Sequence, residues 1–225
     1  MVAFAVTDAD GPAISADFYG FEPDFIESGE IATVVIRSSE PPAATEETMM
    51  AYHEFVAGVA DVRACLPHRF GLVVDEQAVE AELARNHHEY VAALEATRHK
   101  SEWLLRTRAI PDAAATAAMM ASGQRPPAGS PLETGEFVHR LVTAHLADEA
   151  ATLSSTFESE GDDVFVRSHG DGLGFDLEIV AGSDQSEYPA VIDQRCQHVT
   201  KHLDVDLFGP TPCYRYSDRA MRTLA

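Results

Sequence analysis

The run of apolar and polar positions divides the chain into short β segments and amphipathic helices. Met1–Thr7 (MVAFAVT) is short and β-leaning, and Glu30–Arg37 (EIATVVIR) is a stronger strand because β-branched side chains pack well on a pleated surface. The acidic stretch between them, Asp8–Gly29, holds proline, glycine and a few aromatics and reads as a loop; Pro41 and Pro42 punctuate the chain after the second strand. Thr45 can cap a helix over Thr45–Ala60, with Thr48 three residues on and Met49, Tyr52, Val56 and Val59 at helical spacing. Arg69–Val74 reads as a third strand. Asp75 can cap a helix running from about Glu76 to Arg98, whose apolar stripe is Val79, Leu83, Tyr90 and Leu94. The N-terminal half therefore reads β-β-α-β-α.

The second half has a recognisable order. Glu102–Arg108 is a strand, Pro111–Ala121 a short alanine-rich helix, and Ser122–Pro131 a loop by composition. A long helix follows from about Glu133 to Glu158, then a strand at Asp163–His169 and a hairpin signal at Gly170-Asp171-Gly172. Leu173, Phe175, Leu177 and Ile179 alternate with polar or small residues, the clearest strand pattern in the chain. Glu187–His202 reads as a helix and Leu203–Phe208 as the last strand. The order β-α-β-β-α-β is the split βαβ of a ferredoxin-like domain. The predicted fold class is α+β in two domains: an N-terminal α+β domain over residues 1–100 and a C-terminal modified ferredoxin-like domain over 101–225, with an insert at about 109–132 and a C-terminal tail.

Composition narrows the function. A formal net charge of −21 disfavours nucleic acid or an acidic membrane as partner, since binding either needs a basic footprint. Lys100 and Lys201 are the only lysines among 16 basic residues. An acidic, lysine-poor surface fits a salt-rich cytoplasm, where screening relieves self-repulsion; arginine written for lysine by a GC-rich genome fits equally. Cys65, Cys196 and Cys213 are few, odd in number and far apart, which suits a reducing compartment. No stretch is apolar enough to span a bilayer and Met1–Asp10 lacks a basic flank, so a cytoplasmic protein without a signal peptide is expected.

Candidate chemistry is sparse. His198 and His202 lie four apart on a predicted helix with Cys196 nearby, a spacing that can share a metal, but the sequence places no third ligand and no metal is expected. Adjacent His87 and His88 point to different faces. Gly170, Gly172 and Gly174 fit a hairpin better than a phosphate loop, because no helix N-terminus follows. No serine or cysteine stands in a nucleophile elbow, and no carboxylate pair has a telling spacing, so no catalytic residue and no cofactor is assigned.

Two segments stand apart. Leu66-Pro67-His68-Arg69-Phe70-Gly71 leads straight into a predicted strand; locally it reads as a turn in which Arg69 pairs a carboxylate or a helix end. Phe208-Gly209-Pro210-Thr211-Pro212-Cys213-Tyr214 follows the last strand and reads as a stiff, packed tail. Together, at this distance and in a chain of this length, they resemble the gas vesicle protein L/F (GvpL/GvpF) family, whose members show a Leu-Pro-x-Arg-Phe-Gly element, then a strand and a long helix, and a Gly-Pro-x-Pro-x-Tyr-like element after the last strand. The resemblance covers nearly the whole chain. The matching positions are Leu66, Pro67, Arg69, Phe70, Gly71, Gly209, Pro210, Pro212 and Tyr214. The chain departs from the family with His68 in place of valine, Thr211 in place of tryptophan and Cys213 in place of a second proline.

The resemblance implies a two-domain α+β protein whose C-terminal domain is a modified ferredoxin fold. It implies a minor, essential partner in building gas vesicles that binds the hydrophobic shell protein and other accessory proteins, found in the cytoplasm during assembly and at the gas vesicle. The matching residues are expected to be structural or partner-binding, and no enzyme activity is expected. The competing reading is a non-catalytic ligand-binding sensor with a ferredoxin-like domain.

Overall fold

The computed structural model describes residues 1–38, 40, 42–182 and 187–216. The chain divides into two compact units, Met1–Ser101 with the segment from Thr211, and Glu102–Pro210. The described part of the tail, Thr211–Tyr216, thus groups with the first unit, whereas the sequence reading attached it to the second.

The first unit is built on a four-stranded antiparallel sheet of order β2-β3-β1-β4, from β1 (Val2–Asp8), β2 (Asp24–Ser28), β3 (Ile31–Ile36) and β4 (Cys65–Pro67). Strand β2 lies inside the stretch read as loop. Its sequence DFIES carries three residues of low β propensity, and it forms because Gly29, at φ 66°, closes a tight hairpin that lays it against β3. Helix α1 (Glu46–Ala60) covers one face of the sheet, capped by Thr45 and Thr48 reciprocally. It buries Tyr52, Phe55, Val56 and Val59; Met49, expected in this stripe, is instead 53% exposed. The other face is covered by α2 (Glu76–Arg85) and α3 (His87–Thr97). A single helix was expected here, but Asn86 interrupts it: its backbone leaves helical geometry and its side chain donates to Glu82 Oε1. Pro41 lies outside the described residues.

The expected strand at Arg69–Val74 is not formed as such. Pairing with β1 begins earlier, with Thr7 opposite Cys65 and Ala5 opposite Pro67, and resumes only as a bridge between Val2 and Val73. The pairing slips by three residues between these points, so His68–Gly71 is looped out of the sheet edge. Gly71, at φ 73°, allows the chain to turn back.

The second unit has the sheet order β6-β7-β5-β8, the order of a ferredoxin-like fold, from β5 (Ser101–Ala109), β6 (Asp163–Ser168), β7 (Phe175–Ala181) and β8 (Leu203–Thr211). Helices α4 (Pro111–Ser122), α5 (Pro131–Glu158) and α6 (Tyr188–Cys196) pack on one face around Trp103, Leu105, Leu146, Leu153, Phe157 and Leu177. Helix α4 is the insert, seated through Ala114 and Ala118. The predicted last helix is shorter than expected, because the chain after Cys196 turns irregularly before β8.

Candidate functional site

The loop-out at His68–Gly71 distributes its side chains to different surroundings. Phe70 turns toward α1 and meets the Tyr52 ring edge-on at 5.3 Å. The Tyr52 hydroxyl, 3.1 Å from the Phe4 carbonyl, donates to the carbonyl of His68 at 2.7 Å, and the His68 amide donates to the same Phe4 carbonyl at 2.7 Å. Phe4 lies at an irregularity in the pairing of β1 with β3, where Ala3 and Ala5 lie opposite Val35 and Val34. Burial pushes the Tyr52 phenol well up, so it remains a donor at any ordinary pH. Leu66 is buried on the α2/α3 side, and Pro67 is also buried. Arg69 is exposed and makes no ion pair among the described residues, so the expected pairing with a carboxylate or helix end is not formed.

The second motif is split between the units. Gly209 and Pro210 end the second unit, joined by a cis peptide bond. At Gly209 (φ 134°) a Cβ would come within 2.8 Å of the Trp103 ring. Pro212 is buried and Tyr214 packs on the α1 side of the first unit, its hydroxyl 3.2 Å from His53 Nδ1 with the rings stacked at 5.9 Å. Phe70 and Tyr214 therefore join one apolar cluster on adjacent residues of α1, Tyr52 and His53.

Beside that cluster lies an apolar groove of about 280 Å³. Its floor is Val2, Phe4 and Ile36, and its wall is a tight turn, Phe18–Phe21, closed by mutual backbone hydrogen bonds with Tyr19 and Gly20 both at positive φ. Tyr19 and Phe21 stand 52% and 54% exposed, and Met49 and Met50 of α1 are similarly bare. A chain of ring contacts runs inward from Tyr19 through Phe18, Phe4 and Tyr52 to Phe70. The groove and the first motif thus share one aromatic scaffold.

On the opposite face of the same sheet is an apolar cavity of about 380 Å³, lined by Ala3, Val6, Leu72, Val79 and Tyr90. His68 Nδ1 is shut off from solvent there with no hydrogen-bond partner among the described residues, and burial pulls its pKa down to about 4. Glu82 accepts from Asn86 Nδ2 and the Tyr90 hydroxyl at the cavity wall.

The second unit holds a separate polar cluster. His145 and Glu149 on α5 meet His202 from the chain before β8, their ligand-type atoms all within 4.8 Å of one another. His198, set aside with His202 for want of a third ligand, reaches the same glutamate. Burial lowers the pKa of His202, opposed by Glu149 and reinforced by His145 and His198.

The model of one known family, gas vesicle synthesis protein GvpL/GvpF, matches residues 3–218. The chain belongs to the GvpL/GvpF family. Among solved structures it is similar to the crystal structure of gas vesicle protein GvpF from Anabaena sp. PCC7120, with TM-score 0.74 and 14% identity over 96% of this chain and 94% of that one. It is also similar to GvpF from Microcystis aeruginosa, with TM-score 0.72 and 11% identity over 96% and 98%. At these identities the likeness is one of fold. No curated protein matches. Membership makes this a gas vesicle-associated protein, and no helix among the described residues is long and apolar enough to cross a membrane.

Sequence reasoning named Phe70 and Tyr214, which the fold brings into one cluster, but missed the aromatic turn at Phe18–Phe21 and the residues His145 and Glu149. The signal for the turn was present in Asp17-Phe18-Tyr19-Gly20-Phe21, where an aspartate can accept from the glycine amide, as Asp17 Oδ1 does.

Proposed function

We propose that this protein is an accessory assembly factor of the gas vesicle, not an enzyme, and that it binds the shell protein and other gas vesicle proteins during nucleation or growth of the shell, in the cytoplasm. The observation that carries this reading is the open groove walled by Phe18, Tyr19 and Phe21 on a strongly acidic chain. Large exposed aromatics cost solubility unless a partner covers them. The surrounding negative charge keeps a complex with a sticky, apolar subunit dispersed until the shell takes it up. The groove accepts an apolar segment of such a subunit, and Tyr19 and Phe21 are its contact residues.

The test is co-expression with the host's shell protein and capture after washing at high salt. The wild type should retain the shell protein. A Tyr19→Asn/Phe21→Ser variant, which keeps a turn-compatible residue at Tyr19, should lose it at an unchanged melting temperature. Leu132→Ser, on an exposed side chain of the second unit, should retain it. Failure of the wild type to capture any gas vesicle protein would overturn the assembly reading; full capture by the double variant would overturn the groove as its surface.

A further inference from the structure

The cluster at Glu149 of α5 brings three histidines to one carboxylate and leaves two of their buried ring nitrogens without a hydrogen bond among the described residues. Glu149 Oε1 lies 3.6 Å from His145 Nε2 and 3.9 Å from His202 Nε2, and its Oε2 lies 3.3 Å from His198 Nε2. The two distances to Oε1 are too long for hydrogen bonds. Both of those ring nitrogens are nonetheless buried with no hydrogen-bond partner among the described residues, and His202 is 7% exposed. Buried polar atoms are nearly always satisfied, so two orphaned nitrogens aimed at one carboxylate oxygen call for a shared partner. A cation bound at about 2.0–2.1 Å by nitrogen and oxygen in tetrahedral geometry holds its ligand atoms about 3.4 Å apart. The two separations from Glu149 Oε1 sit just outside that value and all three ligand atoms lie within 4.8 Å of one another, so an inward movement of side chains would close the shell.

We propose that His145, Glu149 and His202 bind one divalent first-row transition ion of the zinc class, with His198 holding the second carboxylate oxygen. Two imidazoles and a carboxylate favour such an ion over magnesium or calcium, which prefer all-oxygen shells. The spacing supplies the ligands in pairs: His145 and Glu149 are one helical turn apart on α5, and His198 and His202 come from the segment after α6. The ion would join α5 to that segment, leaving one coordination position to water. His198 is 49% exposed at its side chain and acts as a positioning residue through Glu149. The site is independent of the groove in the first unit.

The full chain, stripped with a chelator and desalted, is titrated with Zn²⁺ by calorimetry and with Co²⁺ by visible absorption. The expected result is one equivalent bound with micromolar or tighter affinity, a Co²⁺ spectrum of the strong, low-coordinate type, and a melting temperature that rises with Zn²⁺ concentration. His145→Ala should weaken binding at least a hundredfold. His198→Ala, on an exposed side chain whose loss leaves the fold intact, should weaken it about ten- to a hundredfold. No binding by the intact chain, or an equivalent retained unchanged in both His145→Ala and His198→Ala, would overturn the proposal.

Discussion

His68 is a half-buried base whose Nδ1 is shut off from solvent with no partner among the described residues, and it should make stability fall as pH falls. Unfolded, its ring takes up a proton near pH 6.5; folded, it resists until about pH 4. Between those values the unfolded state binds more protons, so protonation pulls the equilibrium toward unfolding, and the loss grows as pH drops through that window. From pH 7.5 to 5.2, just above the pI of about 4.6, the two constants give a loss of roughly 1–2 kcal/mol from this residue alone. Carboxylates and the other histidines contribute too, so the wild-type curve by itself is not diagnostic. His68→Val keeps the backbone carbonyl that Tyr52 donates to and removes only the titrating ring. It should also gain at pH 7.5, because about 1–3 kcal/mol attaches to a buried unsatisfied nitrogen. Urea unfolding of both proteins at the two pH values isolates the difference, and the advantage of the variant should widen by roughly 1–2 kcal/mol at the lower pH. Parallel stability losses in the two proteins would refute the assignment of His68 as a neutral base with a buried Nδ1.

Gly71→Ala should cost about 1–2 kcal/mol in urea unfolding from backbone strain alone, since its Cβ would point into open space. Gly209→Ala should cost roughly 1–3 kcal/mol more than that, because its Cβ would also press on Trp103; equal costs would contradict the close approach. Arg69→Ala should change stability by less than about 0.5 kcal/mol, as for other exposed side chains with no ion pair among the described residues, so a larger drop would mean that it holds a partner. The melting temperature should rise with KCl between 0.1 and 2 M as screening relieves a net charge of −21, and a flat profile would show that self-repulsion does not limit stability.

The second unit was more legible in sequence than the first, for a physical reason. Its strands β5, β7 and β8 and its long helix α5 each carry a clear period, and their order alone selects the ferredoxin-like sheet. In the first unit the sheet is buried on both faces, so β1 and β3 read as continuous apolar runs that say nothing about which neighbour lies beside them. The edge strands β2 and β4 are short and take their pairing from β3 and β1 rather than from their own propensity. Asn86 broke the predicted long helix through a single side-chain hydrogen bond, which helical periodicity cannot register.

The candidate sites show the same limit more sharply. The sequence reading begins a strand at Arg69, yet His68–Gly71 is the piece the sheet edge expels. Expulsion is what gives it meaning: Phe70 goes to the α1 face and joins the aromatic scaffold under the groove, while His68 goes to the opposite face and its cavity. One loop thereby couples the packing of both faces of the sheet. A substitution at Phe70 should therefore be felt at Tyr52 and through Phe4 at the groove, whereas one at His68 should be felt at α2 and α3. The His145–Glu149 pair was invisible for the complementary reason. Its spacing is common on helices, and only the fold brings His202, more than fifty residues later, to the same carboxylate oxygen.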